Sequence, residues 1–329
     1  MKNIFKVLAI FAIIGTIVII GCKEEDPPPP PPPPSPPPSW TAVTDSTFGT
    51  STIYAIAYGN GKFVAGGGNG KMAYSTDGGT TWTVVTDSTF GTSTIYAIAY
   101  DNGKFVASGS SGKMATSTNG TTWTTVTDST FGSDGISAIA YGNGKFVAGG
   151  GNGKMAYSTN GTTWTAIDTG TIFDYVYNGT TYKGSISVAY GNGKFVAGGA
   201  SGKMAYSTDG GTTWTAVSNS KFGTNGTSAI AYGNGKFVAG SGVGMATSTD
   251  GTTWTAVTGT FGSETIDAIA YGNGKFIAGE DRGTMATSTD GTTWTLIKPS
   301  FSAPHSIVYG NGKFVAGGEK GKMAYSTGY

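Results

Sequence analysis

The sequence predicts an all-β fold: a seven-bladed propeller of four-stranded antiparallel blades, whose last blade is closed by the N-terminal strand around Trp40. Three observations lead there. A block typified by residues 137–165, SAIAYGNGKFVAGGGNGKMAYSTNGTTWT, recurs along the chain; its Tyr-Gly-Asn-Gly-Lys-Phe element (Tyr-Asp in one copy) begins at Tyr58, Tyr100, Tyr141, Tyr190, Tyr232, Tyr271 and Tyr309. Each block of about 40 residues holds four short runs between Gly/Asn turns, which is the spacing of a propeller blade. The two ends are complementary: residues 40–43 read as a fourth strand without the first three, and residues 307–327 as three strands without a fourth. Joining them removes two exposed sheet edges.

Within the block, residues 137–141 form the first strand and Gly142-Asn143-Gly144 a hairpin turn. Residues 145–148 make the second strand, 149–153 a turn and 154–158 the third strand. Asn160-Gly161 turns the chain into a fourth strand over 162–167, rich in Thr, Trp and β-branched residues. Runs this short between turn residues are antiparallel hairpin signals, and no stretch offers ten helical residues. The large side chains keep the same period. Trp40, Trp82, Trp123, Trp164, Trp214, Trp254 and Trp294 occur once per block, as do the Phe after each turn lysine, a second Phe between blocks (Phe48 to Phe301) and a Met before the third turn. Their regularity predicts core packing between neighbouring sheets.

Ahead of the repeat stand two lysines, then an apolar run over residues 7–20. Fourteen residues of helix span about 21 Å, too short for a bilayer core of about 30 Å, so the run reads as the apolar region of a signal peptide. It ends in Ile19-Ile20-Gly21-Cys22, which resembles the lipobox of bacterial lipoproteins; Cys22 is the only cysteine in the chain. The resemblance implies a signal peptide over residues 1–21, lipidation at Cys22 and a membrane anchor in the bacterial cell envelope. Lys23, rather than Asp, after the cysteine fits outer-membrane sorting. Residues 22–39 carry prolines from Pro27 to Pro38, a semi-rigid polyproline spacer. The folded domain is expected over residues 40–329, as a monomer.

Ser75-Thr76-Asp77-Gly78-Gly79-Thr80-Thr81-Trp82 and its copy ending at Trp214 resemble the Asp-box, or BNR repeat, of the sialidase-like propeller superfamily. Four others are one residue shorter, and the Asx residues of the six are Asp77, Asn119, Asn160, Asp209, Asp250 and Asp290. An Asx side chain accepts backbone N–H groups in a tight turn and the glycine tolerates positive φ, so these are structural residues. The resemblance implies that they lie on the face opposite the ligand-binding loops.

Little here points to catalysis. The sialidases of that superfamily clamp a carboxylate with three arginines, and this chain has one, Arg282. Carboxylates such as Asp45, Asp87 and Asp128 recur at equivalent places and read as turn caps. His305, the single histidine, reads as a solvated loop residue, and no metal cluster or cofactor motif is present. The leader holds two of the 20 basic residues, leaving 18 against 19 acidic ones, so no basic face invites nucleic acid.

Departures from the repeat are where specificity would be written. Eight extra residues lie between Trp164 and Tyr190, in a loop containing Tyr175, Tyr177 and Tyr182; another loop reads Gly279-Glu280-Asp281-Arg282-Gly283, and Gly242-Val243-Gly244 has lost its lysine. Tyr175, Tyr177, Tyr182, Glu280, Asp281 and Arg282 are therefore the candidate ligand-binding residues. The expected function is non-catalytic binding of an envelope protein or glycan. The alternatives are a multivalent lectin with repeated inter-blade sites, and a glycosidase or polysaccharide lyase using Tyr175, Tyr177 or Asp281.

Overall fold

The structure, a computed structural model, describes residues 39–242, 244–259, 261, 264–297 and 303–327. The leader, Cys22, the proline stalk, Val243 and Phe301 lie outside the described residues. Seven four-stranded antiparallel sheets form a ring. Blade 1 consists of Ile53–Gly59, Lys62–Gly67, Met72–Ser75 and Thr83–Val84. Blades 2 to 6 repeat it, with first strands Ile95–Asp101, Ile136–Gly142, Ser187–Gly191, Thr227–Gly233 and Ile266–Gly272. Blade 7 is the split one. Pro304–Gly310, Lys313–Gly318 and Met323–Thr327 are completed by Ser39–Ala42, with Trp40 opposite Ser326.

Each blade packs on the next through the same side chains. Trp82, Phe48, Phe63 and Ile53 of the first interface meet Val315 and Met323 of blade 7, and the periodic Trp, Phe and Met build the other interfaces in the same way. At six of the seven interfaces the sheets approach so closely at the inner edge that a Cβ would clash with the neighbouring ring. A Cβ at Gly59 would lie 2.0 Å from the ring of Tyr100 in the next blade, and five further blades repeat this contact. In blade 2 the equivalent residue is Asp101, which is exposed.

The six Ser-Thr-Asx-Gly turns share their Asx bonds at both lengths, and five add a Trp indole bond, which Trp254 lacks among the described residues. Asp77 Oδ1 accepts the backbone N–H groups of Thr80 and Thr81 at 3.1 and 3.0 Å; Asn119 Oδ1 accepts those of Thr121 and Thr122 at 2.9 and 2.8 Å. The Trp indole donates to the turn glycine's carbonyl in both, from Trp82 to Gly79 and from Trp123 to Gly120. The extra glycine of the longer form lengthens the span of the serine and Asx bonds by one residue each, the serine bond reaching four residues rather than three. Neighbouring blades are clasped here. Lys62 Nζ donates to Asn119 O at 3.0 Å, Lys104 to Asn160 O at 2.7 Å, Lys194 to Asp250 O at 2.9 Å and Lys236 to Asp290 O at 3.0 Å. Several of these lysines also lie over a tyrosine of their own blade, as Lys62 does over Tyr74 at 5.4 Å.

The opposite face is formed by the loops between blades and those between second and third strands. There Lys71, Lys113 and Lys154 donate to the carbonyls of Phe48, Phe90 and Phe131. Asp45, Asp87, Asp128 and Asp168 cap turns on the same face, each accepting a backbone N–H two residues on. The eight-residue insertion is a two-stranded hairpin, Asp174–Tyr177 with Thr180–Lys183, where a loop was expected.

Candidate functional site

The first strand of each blade lies innermost, and the seven of them surround the axis. They share the pattern Ile-x-Ala-Ile-Ala-Tyr-Gly with one irregularity. In six blades the second residue is an extra one, accommodated as a bulge between the first and third register pairs. A bulge re-aims its side chain. Ser187–Gly191 has no bulge, and Ser187 takes the corresponding role, its hydroxyl bonding Gly198 O and Thr227 O as Ser137 bonds Gly149 O and Ile186 O.

Around the ring these residues are Tyr54, Tyr96, Ser137, Ser187, Ser228, Asp267 and His305. Three consecutive blades carry serine. The other four carry large functional side chains that touch in sequence. His305 Nδ1 lies 3.0 Å from Asp267 Oδ2, the His305 and Tyr54 rings are 5.5 Å apart, and Tyr54 meets Tyr96 edge-on at 5.7 Å. All seven except Ser187 line, together with Gly135, Gly151 and Ser185, a cavity of about 490 Å³ that draws on every blade or the loop leading into it and so lies on the axis. Gly135, Gly151 and Ser185 belong to loops, which places the opening on the loop face. Two smaller cavities continue along the first strands, one lined by Ser187, Ala229 and Ile269, the other by Ala55, Ala97 and Ala138.

This site corrects one expectation and adds residues that the sequence reading passed over. His305 was expected in a solvated loop. It belongs to the strand Pro304–Gly310, is half-buried, and is held by Asp267. The signal was available: within an otherwise uniform strand, one position runs through Tyr, Tyr, Ser, Ser, Ser, Asp and His. Attention to insertions concealed it.

The six candidate residues fall into separate places. Tyr175 and Tyr182 stack at 5.7 Å across the hairpin between blades 3 and 4; Tyr177 is 64% exposed and Val176 69%. Arg282 reaches Glu264 at 2.8 Å on the loop face of blade 6. Blade 5 stands between the two groups, so they form no common site. Glu280, expected on a binding loop, instead ends the strand Lys275–Glu280 and is 5% exposed. Its counterpart is Ser241 in blade 5 and glycine in others, such as Gly67 and Gly150, against which Phe48 and Phe131 are fully buried; next to blade 6, Phe261 is only half-buried and leans on Trp294 at 6.1 Å. Asp281 occupies the place that Gly151 holds at the cavity rim, and its N–H bonds Thr265 O, two residues before Asp267. One oxygen each of Glu280 and Asp281 is buried with no hydrogen-bond partner among the described residues. No group of three metal-binding side chains occurs among the described residues.

No family model matches the sequence, and no curated protein matches it. Solved structures do share its fold. YCF48 from Cyanidioschyzon merolae has 18% identity and a TM-score of 0.67, over 87% of this chain and 98% of that one. A structure described as YCF48 bound to D1 peptide has 16% identity and a TM-score of 0.65, over 88% and 96%. The extracellular domain of the hybrid two component system BT4673 from B. thetaiotaomicron has 13% identity and a TM-score of 0.67, over 87% of this chain but 39% of that one. At these identities the likeness concerns the fold.

Proposed function

We propose that this chain is a non-catalytic binding module of the bacterial cell envelope, held by a lipid on Cys22 and a proline stalk, and that it recognises a protein or glycan on its loop face with the axial mouth as the principal subsite. The observation that carries the reading is the contiguous arc Asp267–His305–Tyr54–Tyr96 on a scaffold whose other inner-strand positions nearly repeat. Ligand sites are typically concave, aromatic-lined and furnished with a few polar groups, in cavities of about 300–1,000 Å³. The topology is favourable to an anchored receptor. Ser39 pairs with Thr327, at the end of the third strand and hence on the face of the Ser-Thr-Asx-Gly turns, so whatever precedes Ser39 joins the ring opposite the mouth. A solved propeller of similar fold that holds a peptide gives a precedent for a protein ligand.

The chemistry of the site favours binding over turnover. Two-carboxylate hydrolysis needs an acid and a base or nucleophile flanking one bond, and a single carboxylate, Asp267, lines the mouth. Of the residues considered for a glycosidase, Tyr175 and Tyr177 share the hairpin strand between blades 3 and 4, whereas Asp281 follows the second strand of blade 6. A lectin with repeated inter-blade sites has less support, because Lys71, Lys113 and Lys154 already occupy equivalent places between adjacent loops.

The test is capture of envelope proteins and glycans by the full chain in detergent. Capture that is lost in Tyr54→Ala/Tyr96→Ala but retained in Leu296→Ala, on the outer edge, supports the mouth as the subsite. Equal capture by all three refutes it.

A further inference from the structure

We propose that the axial mouth is a receptor for a single cationic group, the ammonium or guanidinium of a lysine or arginine side chain presented by a partner protein. This rests on the mouth being the binding subsite. The inference comes from counting what the lining offers a ligand. The hydroxyl protons on the serine side are committed to the protein: Ser137 donates to Ile186 O at 2.8 Å and Ser228 to Ile266 O at 2.7 Å, which leaves oxygen lone pairs for a ligand. In the tautomer with its proton on Nδ1, His305 donates to Asp267 Oδ2 at 3.0 Å and leaves Nε2 as an acceptor. Asp267 Oδ1 takes no hydrogen bond among the described residues. The rings of Tyr54 and Tyr96, set at 71° to each other, add π faces.

Asp267 brings a carboxylate to this lining, and among the described residues no lysine or arginine lines it, while the hydroxyls of Tyr54, Tyr96 and Ser185 can donate or accept. Two basic side chains on the adjoining loops are already engaged, Lys154 by Asp134 at 2.7 Å and Arg282 by Glu264 at 2.8 Å. An anion would meet Asp267 with nothing to neutralise it. A neutral sugar could use the tyrosine and serine hydroxyls but would bring no charge complementary to Asp267. An alkylammonium or guanidinium consists only of donors, carries the complementary charge, and gains from an aromatic face within about 6 Å. The cavity of about 490 Å³ has the capacity for one or two side chains.

The experiment is calorimetric titration of the full chain in detergent with blocked peptides Gly-Gly-X-Gly-Gly, where X is Lys, Arg, Glu or norleucine, and with maltose as a neutral sugar. The Lys and Arg peptides are expected to bind and the others not. Asp267→Asn, which keeps the shape, should weaken the Lys peptide about ten-fold or more, as expected for loss of a charge-assisted contact. Binding should also weaken as salt is raised, and Leu296→Ala should bind as the wild type does. Comparable binding of the Glu or norleucine peptide or of maltose overturns the proposal, as does an Asp267→Asn variant that keeps its affinity. If neither basic peptide binds while Tyr54→Ala/Tyr96→Ala still abolishes partner capture, the cation assignment falls and the mouth stands. If that capture is unaffected as well, both fall.

Discussion

Ser39 and Thr327, 288 residues apart in the chain, share a hydroxyl–hydroxyl hydrogen bond of 2.8 Å. They mark the end of a four-residue strand that alone completes blade 7. Beside them Trp40 is 9% exposed and packs with Met285, Ile307 and Phe314, and Val43 N donates to Met323 O at 2.8 Å. Trp40→Ala is expected to cost about 3–5 kcal/mol, the range for truncating a buried aromatic. Denaturant unfolding of the full chain measures it, and an unchanged midpoint contradicts the seam.

Acid should weaken the ring. Asp77, Asp209, Asp250 and Asp290 are held well below the usual carboxylate range. At Asp77 desolvation opposes ionisation but is outweighed by hydrogen bonds from Thr81, Ser75 and Thr80; at Asp290 the backbone N–H of Thr293 is the largest cause. A carboxylate with a lowered folded-state pKa contributes stability that is complete above its unfolded value, about 3.9, and is lost as pH falls toward the folded value. Stability should therefore decline below about pH 4. The four Asp→Asn changes together should flatten that decline while keeping the turns, since Asn119 and Asn160 already make them with an amide. Urea midpoints between pH 7 and pH 2 decide it.

Gly59→Ala places a methyl group where the Tyr100 ring stands, 2.0 Å away. Overpacking of this kind costs about 1–3 kcal/mol. The reverse change at the equivalent site of blade 2, Asp101→Gly, should leave stability unchanged or higher. Thermal melts of the two variants are expected to move in opposite directions or, for Asp101→Gly, not at all.

Glu280 buries a carboxyl oxygen without a partner among the described residues, where blades 1 and 3 have Gly67 and Gly150 beneath a fully buried Phe. Glu280→Gly should stabilise the protein by about 1–3 kcal/mol, the usual penalty for an unsatisfied buried polar group. A lower unfolding midpoint shows that the carboxylate is engaged.

The hairpin between blades 3 and 4 contributes little to the ring. Val176→Ser/Tyr177→Ser changes two side chains that are 69% and 64% exposed and should alter stability by less than about 0.5 kcal/mol. The same melts report it.

The ring was legible in the residues because each blade had to solve the same packing problem, and the solution is printed seven times. The Trp and Phe periods fixed which faces are buried, and the unmatched ends at Trp40 and Ser326 announced the split blade. The site was harder to see. A bulge leaves no length difference between blades, so Tyr54 and His305 appear as ordinary strand neighbours until the strands are arranged around an axis. Glu280 misled for a related reason: a charged residue next to a glycine turn resembles a loop tip, whereas the strand runs one residue further and carries it under the neighbouring loop. The tyrosines of the insertion were found by length, but which blades they stand between depends on ring order.

The lysine clasps between adjacent turns have a consequence for descent. Lys62, Lys104, Lys194 and Lys236 each grip the following blade by a backbone carbonyl, so the receiving side chain can be Asn or Asp without effect on the grip. A gene that duplicated or dropped one such unit through unequal recombination would generate no mismatched junction. Copy number in this lineage would then be policed by the circumference that the tyrosine-lined centre tolerates, while individual copies remain free to diverge at the single place that faces it.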